Sequence, residues 1–176
     1  MADIDVGSPA INRGSSWSDA TYTFFIIDNT SNGAGTLDTI ETWCNEAIVG
    51  FVPATFYNTT GSTYVCRGSE SIGGVTAGSK QTFTSLDIDV GLGDYLGAYF
   101  TDGRFEKDSS GYNGIWATSG DHTTPTDSAT FSEDRDDETV SIYGTGETAA
   151  TGWGGEFCGV SIDEFCGVTP EEITGV

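Results

Sequence analysis

Along most of the chain, short apolar runs alternate with clusters of Gly, Ser, Asn and Asp, and the apolar runs carry the period of strands. The clearest run is 81–90. There Leu86, Ile88 and Val90 alternate with Asp87 and Asp89, so that one face is buried and the other wet. Gly91-Leu92-Gly93-Asp94 turns the chain. The run 95–101 then sends Leu96, Ala98 and Phe100 to one side and Tyr95, Gly97 and Tyr99 to the other.

Upstream, 21–27 is a strong β-run that stops at Asp28-Asn29. The segment 36–44 wavers between periods of two and three; lacking helix caps and helix formers, it reads as a strand with a bulge. In 47–57, Pro53 marks an edge or a bulge. Asn58-Thr59-Thr60-Gly61 is a hairpin turn leading into 63–67. Shorter runs follow at 104–106, 114–118, 129–132 and 139–143. About eight to ten strands with no helices between them predict an all-β fold, an antiparallel β-sandwich of jelly-roll type.

From residue 147 the pattern changes. Glu156-Phe-Cys-Gly-Val-Ser-Ile-Asp163, Glu164-Phe-Cys-Gly-Val-Thr-Pro-Glu171 and Glu172-Ile-Thr-Gly-Val176 align as copies of a period-eight repeat, sharing Glu, Gly and Val. Residues 144–155 read as a Gly-rich linker. The expected organisation is a sandwich domain at 1–146 and a linker with repeat tail at 147–176. A repeat this short cannot bury its own apolar residues. Phe157, Val160, Phe165, Val168, Ile173 and Val176 are therefore the candidates for an oligomerisation or anchoring contact.

Composition sharpens this picture. Only four Leu occur, and Gly, Ser, Thr, Val, Ile and aromatics dominate, which disfavours helix-rich folds. There are 27 acidic residues against 6 basic ones, a net charge of −21. So few cations exclude a phosphate-tracking nucleic-acid surface and binding to an anionic membrane. The N-terminus shows neither a basic start nor an apolar h-region, so cytoplasmic synthesis without a signal peptide is expected. No Lys or Arg follows Arg135, so the repeats, with a Glu in each register, call for a cationic face on whatever they meet.

Candidate chemistry is sparse. His122 lies in a loop without a Gly-x-Ser-x-Gly elbow, and reads as a surface histidine. Asp87 and Asp89 read as the wet face of a strand rather than as a glycosidase pair. Cys44, Cys66, Cys158 and Cys166 lack metal-ligand spacing and are expected to be reduced thiols. In the acidic run 133–138, Asp134, Asp136, Asp137 and Glu138 are the oxygen ligands that would suit Ca2+, the one cofactor the sequence offers, although the spaced order of an EF-hand is missing. Tyr112 and Trp116, with Trp17, are the aromatics that would stack on a sugar.

The segment Val75-Thr-Ala-Gly-Ser-Lys-Gln-Thr-Phe83, followed by Leu86-Asp-Ile-Asp-Val-Gly-Leu-Gly-Asp-Tyr-Leu-Gly-Ala-Tyr-Phe100, resembles the paired central strands of jelly-roll proteins, found in carbohydrate-binding modules and viral surface proteins. The C-terminal Gly-Val repeats are similar to short tandem repeats at the ends of tailed-phage virion proteins. The resemblance covers 75–100 and 147–176 and carries over no catalytic or binding residue. It implies a non-enzymatic virion protein displayed on a capsid or fibre, located on the virion surface or in an extracellular assembly. Its partners would be copies of itself, with trimers frequent among such proteins, and other virion proteins. The alternatives are a carbohydrate-binding module or receptor-binding head facing host glycans, and a self-assembling extracellular filament or surface-layer subunit.

Overall fold

The structure, a computed structural model, describes residues 3–149. Among them there is no helix, and every ladder between strands is antiparallel. The all-β expectation therefore holds at the level of class. The candidate anchoring residues Phe157, Val160, Phe165, Val168, Ile173 and Val176 lie outside the described residues.

One strand organises the rest. The segments read as two separate runs at 36–44 and 47–57 are a single strand, β4 (Gly35–Thr60). Its first third pairs with β14 (Ile142–Thr148) on one side and β7 (Lys80–Val90) on the other, and β1 (Asp3–Ser8) extends that group beyond β14. Its middle pairs with β9 (Asp102–Asp108) and β6 (Gly73–Val75). Its last third runs between β5 (Thr63–Ser69) and β8 (Tyr95–Tyr99). The register shifts between Leu37 and Thr39, between Cys44 and Val49, and between Ile48 and Phe51. At Gly50 the backbone takes φ 66. These bulges bend the strand from one group of partners to the next, and they also break the alternation that a sequence reading relies on. Pro53, which has no N–H to donate, sits where the partner changes from β6 to β5.

The last third of β4 belongs to a closed ring. The order runs β11 (Ser128–Thr130), β5, β4, β8, β3 (Tyr22–Ile26), β10 (Ile115–Ser119), β12 (Ser132–Arg135). Only Phe131 separates β11 from β12, so the chain itself joins the two ends of the ring. Inside the ring, Phe25, Ala54, Phe56, Tyr64, Cys66 and Phe131 form one core. Phe25 stands at its centre, with ring centroids 4.6 Å from Tyr64, 5.0 Å from Phe131, 5.1 Å from Tyr95 and 5.8 Å from Phe56.

The outer wall of the ring is buried as well. Phe24 and Ile26 of β3, Leu96 and Ala98 of β8, and Ile115 and Ala117 of β10 pack against Ile4, Val6, Leu37, Ile40, Ile88, Val90 and Ile142 of the β1-β14-β4-β7 group. This is why β3 and the residue after it read Phe24-Phe25-Ile26-Ile27 without alternation: successive side chains enter two different cores. Tyr95, assigned from sequence to the side of β8 opposite Leu96, likewise faces the ring interior rather than water.

Three further strands escape the sequence pattern, β1, β6 and β2 (Ser15–Trp17), the last pairing with β9. Another departure lies at the C-terminal end. Residues 144–148, read as the start of a linker, are the second half of β14 and pair with β1 and β4. Their glycines are there for space: a Cβ on Gly146 would lie 1.9 Å from the Thr36 carbonyl oxygen. β13 (Thr139–Val140) pairs with β9 and leads into β14.

Candidate functional site

The residues singled out for chemistry are mostly occupied in holding the fold. Tyr112 sits in the loop between β9 and β10, and its hydroxyl donates to Asp108 at 3.1 Å while accepting from Arg13 at 2.9 Å. Arg13 is buried, ion-paired with Asp108, and also donates to Ser8 at 2.8 Å, Ser141 at 2.8 Å and the Pro9 carbonyl at 3.0 Å. These bonds dock the segment between β1 and β2 onto β9 and the β13–β14 junction. Trp116 is on β10 and packs against the ring interior, 6.3 Å from Phe25, with its indole N–H buried and unpartnered among the described residues. Trp17 is 2% exposed and packs edge-to-face in the main core against Phe24. The three aromatics named for sugar stacking thus occupy three different environments.

The acidic run behaves similarly. Asp134 accepts from the Trp17 indole at 3.4 Å and from Arg135 at 3.0 Å. Glu138 takes the Lys107 ammonium at 2.7 Å, with both side chains largely buried. Asp137, at φ 63, accepts from the backbone N–H of Gly111 at 2.8 Å and of Tyr112 at 3.2 Å. Among the described residues no group of three or more His, Cys, Asp or Glu is placed to hold a metal ion. Asp134, Asp136, Asp137 and Glu138 are therefore not gathered around a point where Ca2+ would sit: three of the four carboxylates answer cations, an indole and backbone amides of the protein itself. Asp19 joins this cluster through Arg135 at 3.1 Å, and its carboxyl is pushed up, first by burial and then by a hydrogen bond to Asp134.

His122 has Nδ1 2.9 Å from Asp127 and Nε2 3.2 Å from the Ser119 carbonyl oxygen, so its second nitrogen addresses backbone rather than a nucleophile. Cys44 and Cys66 are free and buried, and burial pushes both thiols up to about 12. Cys158 and Cys166 lie outside the described residues. Asp87 and Asp89 fall on the exposed face of β7, as the alternation predicts.

The structure adds two features that the sequence pattern did not show. An ion pair at the β7–β8 turn joins Arg67 to Asp94. On the solvent face of the β1-β14-β4 group, Asp3, Asp5, Asp38 and Glu147 line an open hollow of about 430 Å³ together with Tyr143 and Thr145. The Tyr143 hydroxyl is pushed up by burial and by Asp5, 3.3 Å away. Asp3 and Glu147 are direct partners in the β1–β14 ladder, so both ends of the described chain leave from one side of the molecule. No residue spacing within one strand encodes this grouping, because the members come from β1, β4 and β14.

Comparisons of this chain with protein-family models, with curated proteins and with solved structures found no match.

Proposed function

We propose that this chain is a non-enzymatic virion structural protein, displayed on a capsid or fibre, in which the C-terminal repeat mediates homo-oligomerisation or anchoring to other virion proteins. In this reading the two facing groups of strands form a jelly-roll type sandwich, and the domain acts as a rigid platform for the segment that follows it. One observation carries the proposal: Asp3 pairs with Glu147, so the described residues start and end on one side of the molecule, where β14 runs between β1 and β4 beside a hollow lined by four carboxylates. A segment with an apolar residue in every repeat, too short to form a core, gains stability by burying those residues against another surface.

Sedimentation equilibrium on the full chain tests this. Wild type is expected at a multiple of 18.5 kDa, and Phe165→Asp with Val168→Asp at a single copy. Equal masses for the two would overturn the assembly role. Electron micrographs showing long fibres of the pure protein would favour a filament subunit instead.

A further inference from the structure

The backbone bonds of β4 fix which way the neighbouring strand turns its own. Trp43 N–H donates to the Ser141 carbonyl at 3.3 Å, so Trp43 and Glu41, two residues back, present their backbone groups to β14. Thr42 and Ile40 then present theirs to β7, where they meet Gln81 and Phe83. It follows that Lys80, Thr82 and Thr84 turn their N–H and C=O groups outward. Among the described residues no strand takes these groups, and the Lys80 carbonyl meets only the Gln81 side-chain amide at 3.3 Å.

Other outer edges of this group of strands are covered. On β1, Asp5 N–H donates to the Asn32 side chain at 3.0 Å and Gly7 N–H to the Asn29 carbonyl at 2.9 Å. Past Ser85, Asp87 N–H donates to Glu70 at 2.8 Å, and a Cβ on Gly68 would fall 2.5 Å from Asp89 N. The free stretch is therefore residues 80–85. It is also where the core is unfinished, since Phe83 packs on the main core yet stays only partly buried. No carboxylate occurs between Glu70 and Asp87, in a chain of net charge −21, whereas the β1 edge carries Asp3 and Asp5.

We propose that this edge pairs with the same edge of a second copy, antiparallel about a twofold axis, with Thr82 opposite the partner's Thr82. The register follows from the outward groups. With Lys80 opposite the partner's Thr84, every outward residue from 80 to 84 exchanges both of its bonds. A shift by two leaves one outward residue on each copy unpaired, and a shift by one sets inner faces against outer ones. The pairing also ends where it must, because β7 begins at Lys80 and the cover of the opposing edge begins at Asp87.

A second copy suits this edge better than a foreign strand because the edge complements itself, as an isologous contact requires. On the inner face Phe83 meets the partner's Gln81, and the two Phe83 rings lie diagonally across the axis, within aromatic reach. On the outer face the two Thr82 side chains pair. Each Lys80 is carried to the end of the edge where Glu70 and Asp87 stand, so the cation of one copy faces carboxylates of the other. Two copies of so acidic a chain repel, and they touch most readily where carboxylates are missing. Strands of this length bury well short of the roughly 800 Å² per partner of a stable interface. The contact therefore forms between copies already held close, and for that alone it rests on the assembly reading.

The test uses the full chain carrying Cys158→Ser and Cys166→Ser, in which the remaining Cys44 and Cys66 are buried. With Thr82→Cys added, mild oxidation is expected to give a disulfide dimer on non-reducing electrophoresis, because paired Cα atoms about 5.5 Å apart lie within disulfide reach. Thr84→Cys, which faces the partner's Lys80 instead of itself, should stay a monomer. Thr82→Pro removes an outward N–H and spares the ladder to β4, so near-ultraviolet dichroism should match wild type while the Lys80 and Thr84 amides exchange roughly tenfold faster. Absence of the Thr82→Cys dimer, equal trapping of Thr82→Cys and Thr84→Cys, or equal exchange in wild type and Thr82→Pro would overturn the proposal. Protected amides without a Thr82→Cys dimer would also overturn it, since another strand would then cover the edge. A multiple of 18.5 kDa without that dimer defeats this contact and leaves the assembly role standing. Equal masses for wild type and Phe165→Asp with Val168→Asp, with the dimer trapped, defeat the repeat's role and leave this contact standing.

Discussion

Arg67 on β5 holds both carboxylate oxygens of Asp94 at the start of β8, with Nη2 3.1 Å from Oδ1 and Nε on Oδ2. Asp94 is 1% exposed and its Oδ2 also accepts the Gly91 N–H at 2.7 Å, while the guanidinium lies 4.5 Å from the centre of the Tyr57 ring. The hydrogen bond to Asp94 pushes the Arg67 guanidinium further up. The pair thus clamps the Gly91–Asp94 turn that joins the two sheet systems. Arg67→Ala is expected to cost about 2–4 kcal/mol in urea unfolding, since it strands a buried carboxylate, whereas Asp94→Ala leaves a guanidinium that is about a third exposed and should cost less. The double variant should cost clearly less than the sum, and strict additivity would show that the two residues act independently.

Phe25 is expected to be the most sensitive position inside the ring. Phe25→Ala removes contacts with Phe56, Tyr64, Tyr95, Trp116 and Phe131 at once and should cost about 3–5 kcal/mol, with loss of the near-ultraviolet dichroism of the aromatic cluster. A cost below about 1 kcal/mol would mean that the ring collapses around the cavity.

Gly97 should tolerate no side chain. A Cβ there would lie 1.8 Å from the Phe24 carbonyl oxygen, in the close approach of β8 to β3. Gly97→Ala is therefore expected to yield insoluble or unfolded protein, whereas Gly61→Ala, at an open turn with φ 54, should fold with only a small loss read from the thermal midpoint.

Asp19 predicts a pH dependence of defined sign. Its folded carboxyl lies above the ordinary 3.8, so its contribution is fully present below that value and is lost as pH rises through the raised folded one. Asp19→Asn, which keeps the shape without the charge, should equal or exceed wild type in thermal midpoint at neutral pH and lose that advantage below about pH 4. Parallel midpoint curves for the two proteins across that range would contradict the assignment.

The cysteine peptides offer a direct check on burial. With their thiols up at about 12, Cys44 and Cys66 should resist iodoacetamide in native protein at pH 8 and be alkylated only after unfolding.

What could be read from the chain was what local alternation carries. The Leu86-Ile88-Val90 pattern, the Gly91–Asp94 turn and the near-absence of helix formers each follow from one strand or one turn, and each reappears in the structure; the hairpin read at Asn58–Gly61 is there too, but it turns at Gly61-Ser62, with Asn58–Thr60 still in β4. The repeats beyond residue 155 were legible for the same reason, as a period in the sequence.

Tertiary structure decided everything that depends on two strands meeting. Whether the odd or the even side chains of β3 face water has no local answer, because both are buried, in cores built by different partners. The single strand β4 was read as two because its bulges interrupt the period at the points where it changes partners. Gly146 looks like a linker glycine until the neighbouring strand shows that a Cβ there would lie 1.9 Å from the Thr36 carbonyl oxygen. Tyr112, Trp116 and the acidic run 133–138 looked available for ligands because a sequence displays polar and aromatic groups without their partners. Folding supplied Arg13 and Asp108 to Tyr112, the ring interior to Trp116, and Lys107, Arg135, Trp17 and the Gly111 and Tyr112 amides to the carboxylates. A buried polar group must find a partner, and which partner it finds is set by the pairing of strands far apart along the chain.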